Sequence, residues 1–187
     1  MPALPYLHYT VKDYEQWPGD WELIEGHPVA MSPAPTLAHQ RLNFLIMMAL
    51  ENSLAACEAC QAIPDAQWRI DSDTVLRPDG VVICYQPQQY LTRAPEVVVE
   101  IISPSTAAID EHYKFERYAI EGVRHYLLVY GEEKRVRHYV RNQQGQFVLA
   151  NDRPQGVLKL PLSQGCEAQI DWDEIFKSFS KVLSSAR

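Results

Sequence analysis

The order of apolar and polar positions predicts a strand–helix–strand unit at the centre of the chain. Residues 96–103, Glu-Val-Val-Val-Glu-Ile-Ile-Ser, form an apolar run of the kind found in strands that are covered on both faces. Residues 124–130 form a second run, and helix-forming residues from about 107 to 121, closed by Gly122, lie between the two. This order predicts two parallel strands joined by a right-handed crossover.

Shorter patterns surround this unit and predict both strands and helices. Residues 21–31 alternate around a Glu-Gly turn, which is typical of a short hairpin, and residues 135–141 and 146–150 alternate as a hairpin with one solvated face. Helical spacing begins after Pro35-Thr36 and runs to about Leu54. Further strands are predicted at 67–71, 79–85 and 157–160, and a terminal helix at 172–183. We therefore expect an α/β fold.

Length and charge narrow the class of protein. The 187 residues, with 47% hydrophobic content, suit one domain over 1–187. The charge balance, 17 − 24 = −7, disfavours broad adhesion to nucleic acid or anionic membranes but allows a local basic groove. The densest positive segment, 134–141, suits the solvated face of its hairpin better than a track for phosphates. Without an apolar span or a leader-like N-terminus, we expect a cytoplasmic protein.

The four cysteines are irregularly spaced. Cys57 and Cys60 form a C-x-x-C pair, but neither a second such pair nor an H-x-x-x-H pattern completes a zinc set. Cys84 and Cys166 stand far apart in the chain, so a disulfide framework is not indicated either. The sequence favours reduced thiols.

Glu100 is the first candidate for chemistry, because it is a carboxylate inside an apolar strand. An unpaired buried charge costs several kcal/mol, so such a group is normally partnered, protonated or bound to a metal. Asp79 stands 100 − 79 = 21 residues earlier, at the mouth of a predicted strand, which is far enough for a hairpin to return it beside Glu100. Two converging carboxylates suit magnesium, which prefers hard oxygen ligands. Alternatively, Asp79 only shapes its Pro-Asp-Gly turn.

Two basic residues have a functional and a structural interpretation. Lys114 lies 14 residues past Glu100 on the following helix, where it could reach the strand ends or form an exposed pair with Asp110. His39 begins the first long helix and shares a face with Leu42, so it is either catalytic or a semi-buried packing residue. Spacing alone favours the structural interpretation of both.

The motifs resemble the Uma-type restriction endonuclease family, which belongs to the PD-(D/E)XK restriction-endonuclease-like superfamily. The Pro-Asp element and the Glu-x-x-Ser-Pro-Ser element, in this order and spacing, are specific, and the match covers nearly the whole chain. The matching segments are ELIEG at 22–26, His39, RPDGVVI at 77–83, PEVVVEIISPST at 95–106, Asp110-x-x-x-Lys114, Tyr118 and Gly122-Val-x-x-Tyr126.

The resemblance implies a mixed central sheet flanked by helices, with an additional antiparallel hairpin. It also implies a Mg²⁺ or Mn²⁺ site whose expected metal residues are Asp79, Glu100 and Ile101. The chain departs from the superfamily pattern at Ile102, where a lysine would follow the acidic residue. In the Uma-type pattern the lysine moves to the next helix, which makes Lys114 the matching residue.

The resemblance assigns further residues with less definite roles. Glu22 and His39 match family positions that could complete the metal shell or act on water, and Gln67 is a weaker candidate for lining the site. Glu22 and His39, together with Asp79, Glu100 and Lys114, make up the expected catalytic set.

The function expected is a divalent-metal-dependent endonuclease that cleaves DNA. The main alternative is a module that keeps the nuclease fold and binds nucleic acid or protein with little turnover, which the charge of −7 and Ile102 both favour. A serine hydrolase using Ser103 or Ser105 lacks a nucleophile elbow, and a glycosidase lacks an evident sugar cleft. The partner expected is nucleic acid, and a homodimer through the hairpin around 136–140 is an option by analogy.

Overall fold

The computed structural model describes residues 7–31, 34–104 and 106–183. A six-stranded mixed sheet forms the centre, in the order β10-β9-β8-β7-β6-β3. Strands β7 and β8 run parallel, with Val97 opposite His125, and the other neighbours are antiparallel. The strands are β3 (Gln61–Pro64), β6 (Gly80–Ile83), β7 (Val97–Ile101), β8 (His125–Tyr130), β9 (Arg135–Arg141) and β10 (Phe147–Asp152).

Two smaller sheets accompany the central one. The first has the order β2-β1-β5-β4, and the second is an antiparallel hairpin of β11 and β12. Their strands are β1 (Trp21–Ile24), β2 (His27–Ala30), β4 (Trp68–Arg69), β5 (Val75–Leu76), β11 (Val157–Pro161) and β12 (Glu167–Asp171). The mixed sheet expected from the sequence is confirmed. The hairpin predicted at 135–150 extends the central sheet, whereas the separate hairpin is β11–β12.

Helices cover both faces of the central sheet. The long helix α2 begins after Thr36, whose hydroxyl oxygen accepts a hydrogen bond from the His39 N–H at 3.2 Å. The crossover from β7 to β8 starts as a π-helical segment, Ile109–Lys114, and ends at Gly122, whose φ of 100° suits glycine. The helices are α1 (Val11–Tyr14), α2 (Leu37–Ser53), α3 (Phe115–Glu121) and α4 (Trp172–Leu183).

Strand β7 is buried on both faces, as its sequence predicts. Val97, Val99 and Ile101 pack into the core beneath α2 and α4, and Val98 packs into the core beneath α3. Because side chains alternate along a strand, Glu100 shares the α3 side with Val98. The sheet therefore presents one carboxylate to an apolar layer.

Several expectations differ from the structure. Strands β3, β5 and β12 and the helix α1 are not predicted, because they are short or lack a clear period. The hairpin around 136–140 is not a free edge, since β9 pairs with both β8 and β10. The outer strand of that hairpin is β10. Ser105, a weak nucleophile candidate, lies outside the described residues. Within the described ranges, none of the helices has the length and apolarity that a membrane crossing requires.

A buried histidine pair links β8, β9 and the β11–β12 hairpin. His125 Nε2 lies 2.9 Å from the Pro161 carbonyl oxygen, so this nitrogen donates and Nδ1 must accept when the ring is neutral. His138 Nε2 lies 3.1 Å from that Nδ1, and Asn151 Nδ2 lies 3.4 Å from His138 Nδ1. The chain of donors and acceptors is complete only with both rings neutral. Burial lowers the pKa of His125, and burial together with His125 lowers the pKa of His138 to about 4.

This pair predicts a loss of stability in mild acid. In the unfolded chain His138 takes up a proton near pH 6.5, whereas in the folded protein it does so only near pH 4. The stability that neutral His138 contributes is therefore present above pH 6.5 and is lost as the pH falls. Between pH 7 and 5 the protein should lose about 2 kcal/mol more unfolding free energy than the variant His138→Gln. Denaturant titrations at both values measure this. The exposed His27→Gln is the control, and equal losses in all three proteins would contradict the interpretation.

Candidate functional site

The site forms where three elements meet around the ammonium group of Lys114. Lys114 Nζ lies 3.0 Å from Glu22 Oε1 on β1 and 3.1 Å from Glu100 Oε1 on β7. It also lies 3.1 Å from Asp110 Oδ1, one turn earlier in the π-helical segment. The exposed side-chain fractions are 6% for Lys114 and 3–5% for its three partners. Lysine carries three N–H donors, and here each has a carboxylate acceptor.

Glu100 has further partners that hold both of its oxygens. The Tyr118 hydroxyl donates to Oε1 at 2.9 Å, and the Asp79 backbone N–H donates to Oε2 at 3.3 Å. Burial raises the pKa of Glu100 well above its ordinary value, and although Lys114 opposes this, the nearby acids Asp110, Asp79 and Glu22 raise it further. Negative charge at this position is thus only partly compensated by the protein.

Asp110 and Lys114 show the same competition between burial and charge. Burial raises the pKa of Asp110 more than the Lys114 charge lowers it. Burial alone would lower the pKa of Lys114, but Glu100, Glu22 and Asp110 outweigh it and raise that pKa well above the ordinary value. Lys114 is therefore a permanent cation. Glu22 is held in place by the Arg77 backbone N–H, which donates to Oε1 at 2.7 Å.

Asp79 lies beside this cluster and nearer the surface. Its Oδ2 accepts the Ile101 backbone N–H at 2.7 Å and lies 3.2 Å from His39 Nε2. Its backbone carbonyl accepts a hydrogen bond from Asn43 Nδ2 at 2.8 Å, which anchors the turn to α2. The side chains of His39 and Asp79 are 16% and 20% exposed, so they stand between solvent and the buried acids.

The ring of His39 is the basic group that contacts the Asp79 carboxylate. Burial lowers its pKa, but the hydrogen bond and charge of Asp79, with a hydrogen bond to the Ile101 backbone, raise it above the ordinary value overall. The ring nitrogen Nδ1 is buried and has no hydrogen-bond partner within the described residues. Position and protonation both suit a group that exchanges protons at the mouth of the site.

A cavity of about 230 Å³ joins these residues. The six residues predicted from the sequence all line it, namely Glu22, His39, Asp79, Glu100, Ile101 and Lys114. Gln67 does not line it. Instead its Nε2 donates to the Tyr14 hydroxyl at 2.8 Å, in a separate cavity. The spacing suggested an exposed ion pair between Lys114 and Asp110. The pair does form, but both side chains are buried.

Sequence reasoning missed part of the cluster. Asp110 was considered only as a surface partner of Lys114, and the Tyr118 hydroxyl had no assigned contact. The i, i+4 spacing of Asp110 and Lys114, together with Tyr118 four residues further on, is the signal that all three face the sheet. The residues of the basic segment 134–141 do not line this cavity. Arg135 pairs with Asp152, and Arg141 donates to the Ala119 carbonyl oxygen at 2.6 Å.

The donor set has the chemistry of a site for a hard divalent cation. Glu22, Asp79, Glu100 and Asp110 carry four formal negative charges, and Lys114 with protonated His39 supplies two positive ones, so −4 + 2 = −2. Carboxylate oxygens are the ligands that Mg²⁺ and Mn²⁺ prefer. Among the described residues, three potential metal-ligand atoms lie within 4.8 Å of one another in the group Cys57, Cys60 and Cys166. The carboxylate oxygens at Lys114 do not form such a group. The acids are spread around the Lys114 ammonium.

Comparisons with known proteins identify the fold and the family of the chain. A solved structure from Anabaena variabilis, described as "a putative nuclease belonging to DUF820", superposes with a TM-score of 0.73 over 91% of this chain and 98% of its own. Its sequence identity is 17%, so the likeness shows the fold. A search of curated proteins finds no match. The family model Uma2, described as "Putative restriction endonuclease", matches residues 11–171, and the chain therefore belongs to the Uma2 restriction endonuclease family.

Proposed function

We propose that the protein is a divalent-metal-dependent endonuclease that hydrolyses phosphodiester bonds in DNA. The observation that carries the proposal is the excess of buried carboxylate over cation around Lys114, beside the partly exposed Asp79. A net formal charge of −2 in a cavity is unfavourable unless a cation compensates it. Family membership supports nuclease chemistry, and the metal, the substrate and the residue roles belong to the proposal.

In this proposal Asp79 and Glu100 hold Mg²⁺ or Mn²⁺. Ile101, the third residue expected at the metal, already donates its N–H to Asp79 and fixes that side chain relative to β7. When bound, the cation would stabilise the negative charge that develops on the phosphate during cleavage. It would also favour the ionised form of Glu100, whose pKa is otherwise raised by burial. Glu22 and Asp110 add two further carboxylates to the lining of the cavity.

Lys114 acts mainly as a fixed positive charge in this proposal. All three of its N–H donors are accepted by carboxylates, so it can reach a water molecule or a phosphate only by exchanging one partner. Its permanent charge lets three acids stay close together without an ion bound. The role is therefore to keep Glu100 ionised and oriented. The lysine that the superfamily places two residues after the acid would approach from the same face of the strand.

His39 is the residue best placed to move a proton. It lies at the mouth of the cavity, with Nε2 on Asp79 Oδ2. Contact with Asp79 raises its pKa above the ordinary value, which favours a protonated ring that can donate a proton to a departing oxygen and take up another from solvent. Asp79 then has two contacts that orient it, the His39 ring and the Ile101 N–H.

A test of metal-dependent cleavage separates this function from a binding module without turnover. Purified protein should nick supercoiled plasmid with Mg²⁺ or Mn²⁺ and not with a chelator present. Asp79→Asn and Glu100→Gln should each reduce nicking to background and weaken metal binding measured by calorimetry, because each replaces a charged ligand by a neutral amide. The exposed Glu132→Gln is the matched control and should cut normally.

Two results would contradict the proposal. If both site variants nick as fast as the parent, the activity comes from a contaminant or another site. If the parent binds metal and DNA but cuts neither DNA nor RNA, the protein is a module with the nuclease fold.

The ammonium of Lys114 should matter for folding as well as for cleavage. Lys114→Met leaves three buried carboxylates without a cation, which should cost about 3–5 kcal/mol of unfolding free energy at pH 8. The pKa values of Glu100 and Asp110 in the folded protein are already raised and would rise further in this variant. The loss of unfolding free energy should therefore be largest at pH values where unfolded carboxyl groups are ionised, and it should shrink as the pH falls towards 5.

Denaturant titration of the parent and of Lys114→Met at pH 8 and 5 measures this effect. The double variant Lys114→Met with Glu22→Gln should recover part of the loss, since it removes one of the three uncompensated charges. A loss in Lys114→Met that is equal at both pH values would argue that packing, not charge, explains it.

A further inference from the structure

The four cysteines are scattered in the sequence but meet at one place in the fold. Cys57 and Cys60 lie in the turns between α2 and β3, Cys84 directly follows β6, and Cys166 directly precedes β12. The structure joins Cys57 to Cys166 and Cys60 to Cys84 as disulfides, which corrects the expectation of reduced thiols. The Sγ atoms of Cys57, Cys60 and Cys166 lie within 4.8 Å of one another, and that of Cys84 is bonded to that of Cys60.

The backbone holds these cysteines together independently of the disulfides. The Cys60 N–H donates to the Cys57 carbonyl oxygen at 3.1 Å, which closes the C-x-x-C turn. The register of β3 on β6 pairs Gln61 with Ile83, so Cys60 and Cys84 are the next opposed residues. Gln164 Nε2 donates to the Cys84 carbonyl oxygen at 3.1 Å and ties the loop before Cys166 to the same corner. Reduced thiols would therefore remain neighbours.

We propose that in the reduced protein these four cysteines bind one structural Zn²⁺. A C-x-x-C turn completed by two thiolates from distant segments is the donor set of a closed Cys₄ zinc site. Tetrahedral Zn–S bonds of about 2.3 Å separate the sulfurs by roughly 3.8 Å. The sulfurs of Cys57, Cys60 and Cys166 already lie within 4.8 Å of one another, and Cys84, which is bonded to Cys60, supplies the fourth donor. Cys60 and Cys84 are 8% and 6% exposed and belong to the core, which leaves little room for water as a ligand.

The zinc site and the disulfides exclude each other, and the exchange between them balances. Two equivalents of a dithiol reductant convert the two disulfides into four protein thiols, and each reductant becomes a disulfide. Zn²⁺ then replaces the four thiol protons, giving a centre with a formal charge of 2 − 4 = −2. Either state connects α2, β6 and the β11–β12 hairpin, so the corner stays cross-linked under oxidising and under reducing conditions.

The ligand chemistry separates this centre from the acidic site. Thiolates are soft donors that select zinc, whereas the carboxylates around Lys114 suit magnesium or manganese. The two sites also use different residues of β6 and its flanks, with Asp79 before the strand and Cys84 after it. A failure of nuclease activity and a failure of zinc binding can therefore be distinguished.

Cobalt substitution tests the proposal directly. The full chain carrying Asp79→Asn and Glu100→Gln, which weakens the acidic site, is reduced with a phosphine under anaerobic conditions and titrated with Co²⁺. The expected result is one Co²⁺ per chain, with thiolate-to-cobalt charge transfer and the strong visible bands of tetrahedral cobalt. Zn²⁺ should displace the Co²⁺, protect four thiols from alkylation and release protons, up to four per ion.

Matched variants and a second readout decide the outcome. Cys57→Ser and Cys166→Ser should each weaken Zn²⁺ binding at least ten-fold and change the cobalt spectrum, whereas the partly exposed Ser163→Ala, in the same loop, should not. If the cysteine variants fail to fold, the titration of the parent cysteine set still decides. A reduced chain that shows no thiolate charge transfer, or whose thiols react equally fast with and without Zn²⁺, overturns the proposal.

Discussion

The buried ammonium of Lys114 is the interaction on which the rest of this structure depends. A carboxylate in the middle of a strand that is covered on both faces would be protonated or destabilising without a partner. Lys114 supplies that partner for Glu100, and its other two donors reach Glu22 on β1 and Asp110 on its own helix. One cation thereby connects the small sheet, the central sheet and the crossover helix. Fold and site share a single electrostatic centre.

The geometry of the crossover follows from this requirement. Asp110 and Lys114 both point at the sheet from the π-helical segment 109–114, and π-turns are frequent at functional sites. The Tyr126 hydroxyl donates to the Asp110 carbonyl oxygen at 3.0 Å, and the Tyr118 hydroxyl donates to Glu100, so both buried tyrosine hydroxyls in this layer are hydrogen-bonded. The remaining negative charge faces the cavity where Asp79 and His39 stand.

The sequence predicted the elements whose signal is local. The apolar run of β7, the Thr36 cap of α2 and the glycine that ends α3 can each be recognised within one segment. Glu100 stood out because a lone acid contradicts its apolar surroundings, and Asp79, Lys114 and His39 were candidates from their spacing. The resemblance to the family favoured functional roles for them and added Glu22. The meeting of three acids at Lys114 depends on β1, β7 and the crossover together, which no single segment encodes.

Most of the misses share the same physical cause. Strand β5 has two residues, too few to show a period, and it forms because its neighbours offer hydrogen bonds. Strand β12 does alternate polar and apolar residues and was overlooked. The sulfur cluster unites positions up to 109 residues apart, so C-x-x-C alone was an incomplete signal. The assignment of Gln67 to the site was drawn from its strand, but that strand pairs with β5 and faces the other cavity.

Diffraction from crystals soaked in Mn²⁺, with anomalous data, tests the central claim most directly. The account predicts an anomalous peak bound by carboxylate oxygens of Asp79 and Glu100, with Lys114 Nζ about 4–6 Å from the ion and still paired with an acid. A saturated soak that leaves Asp79 and Glu100 without an ion, with Lys114 still bonded to all three carboxylates, would contradict it. The cluster would then be a purely structural ion network.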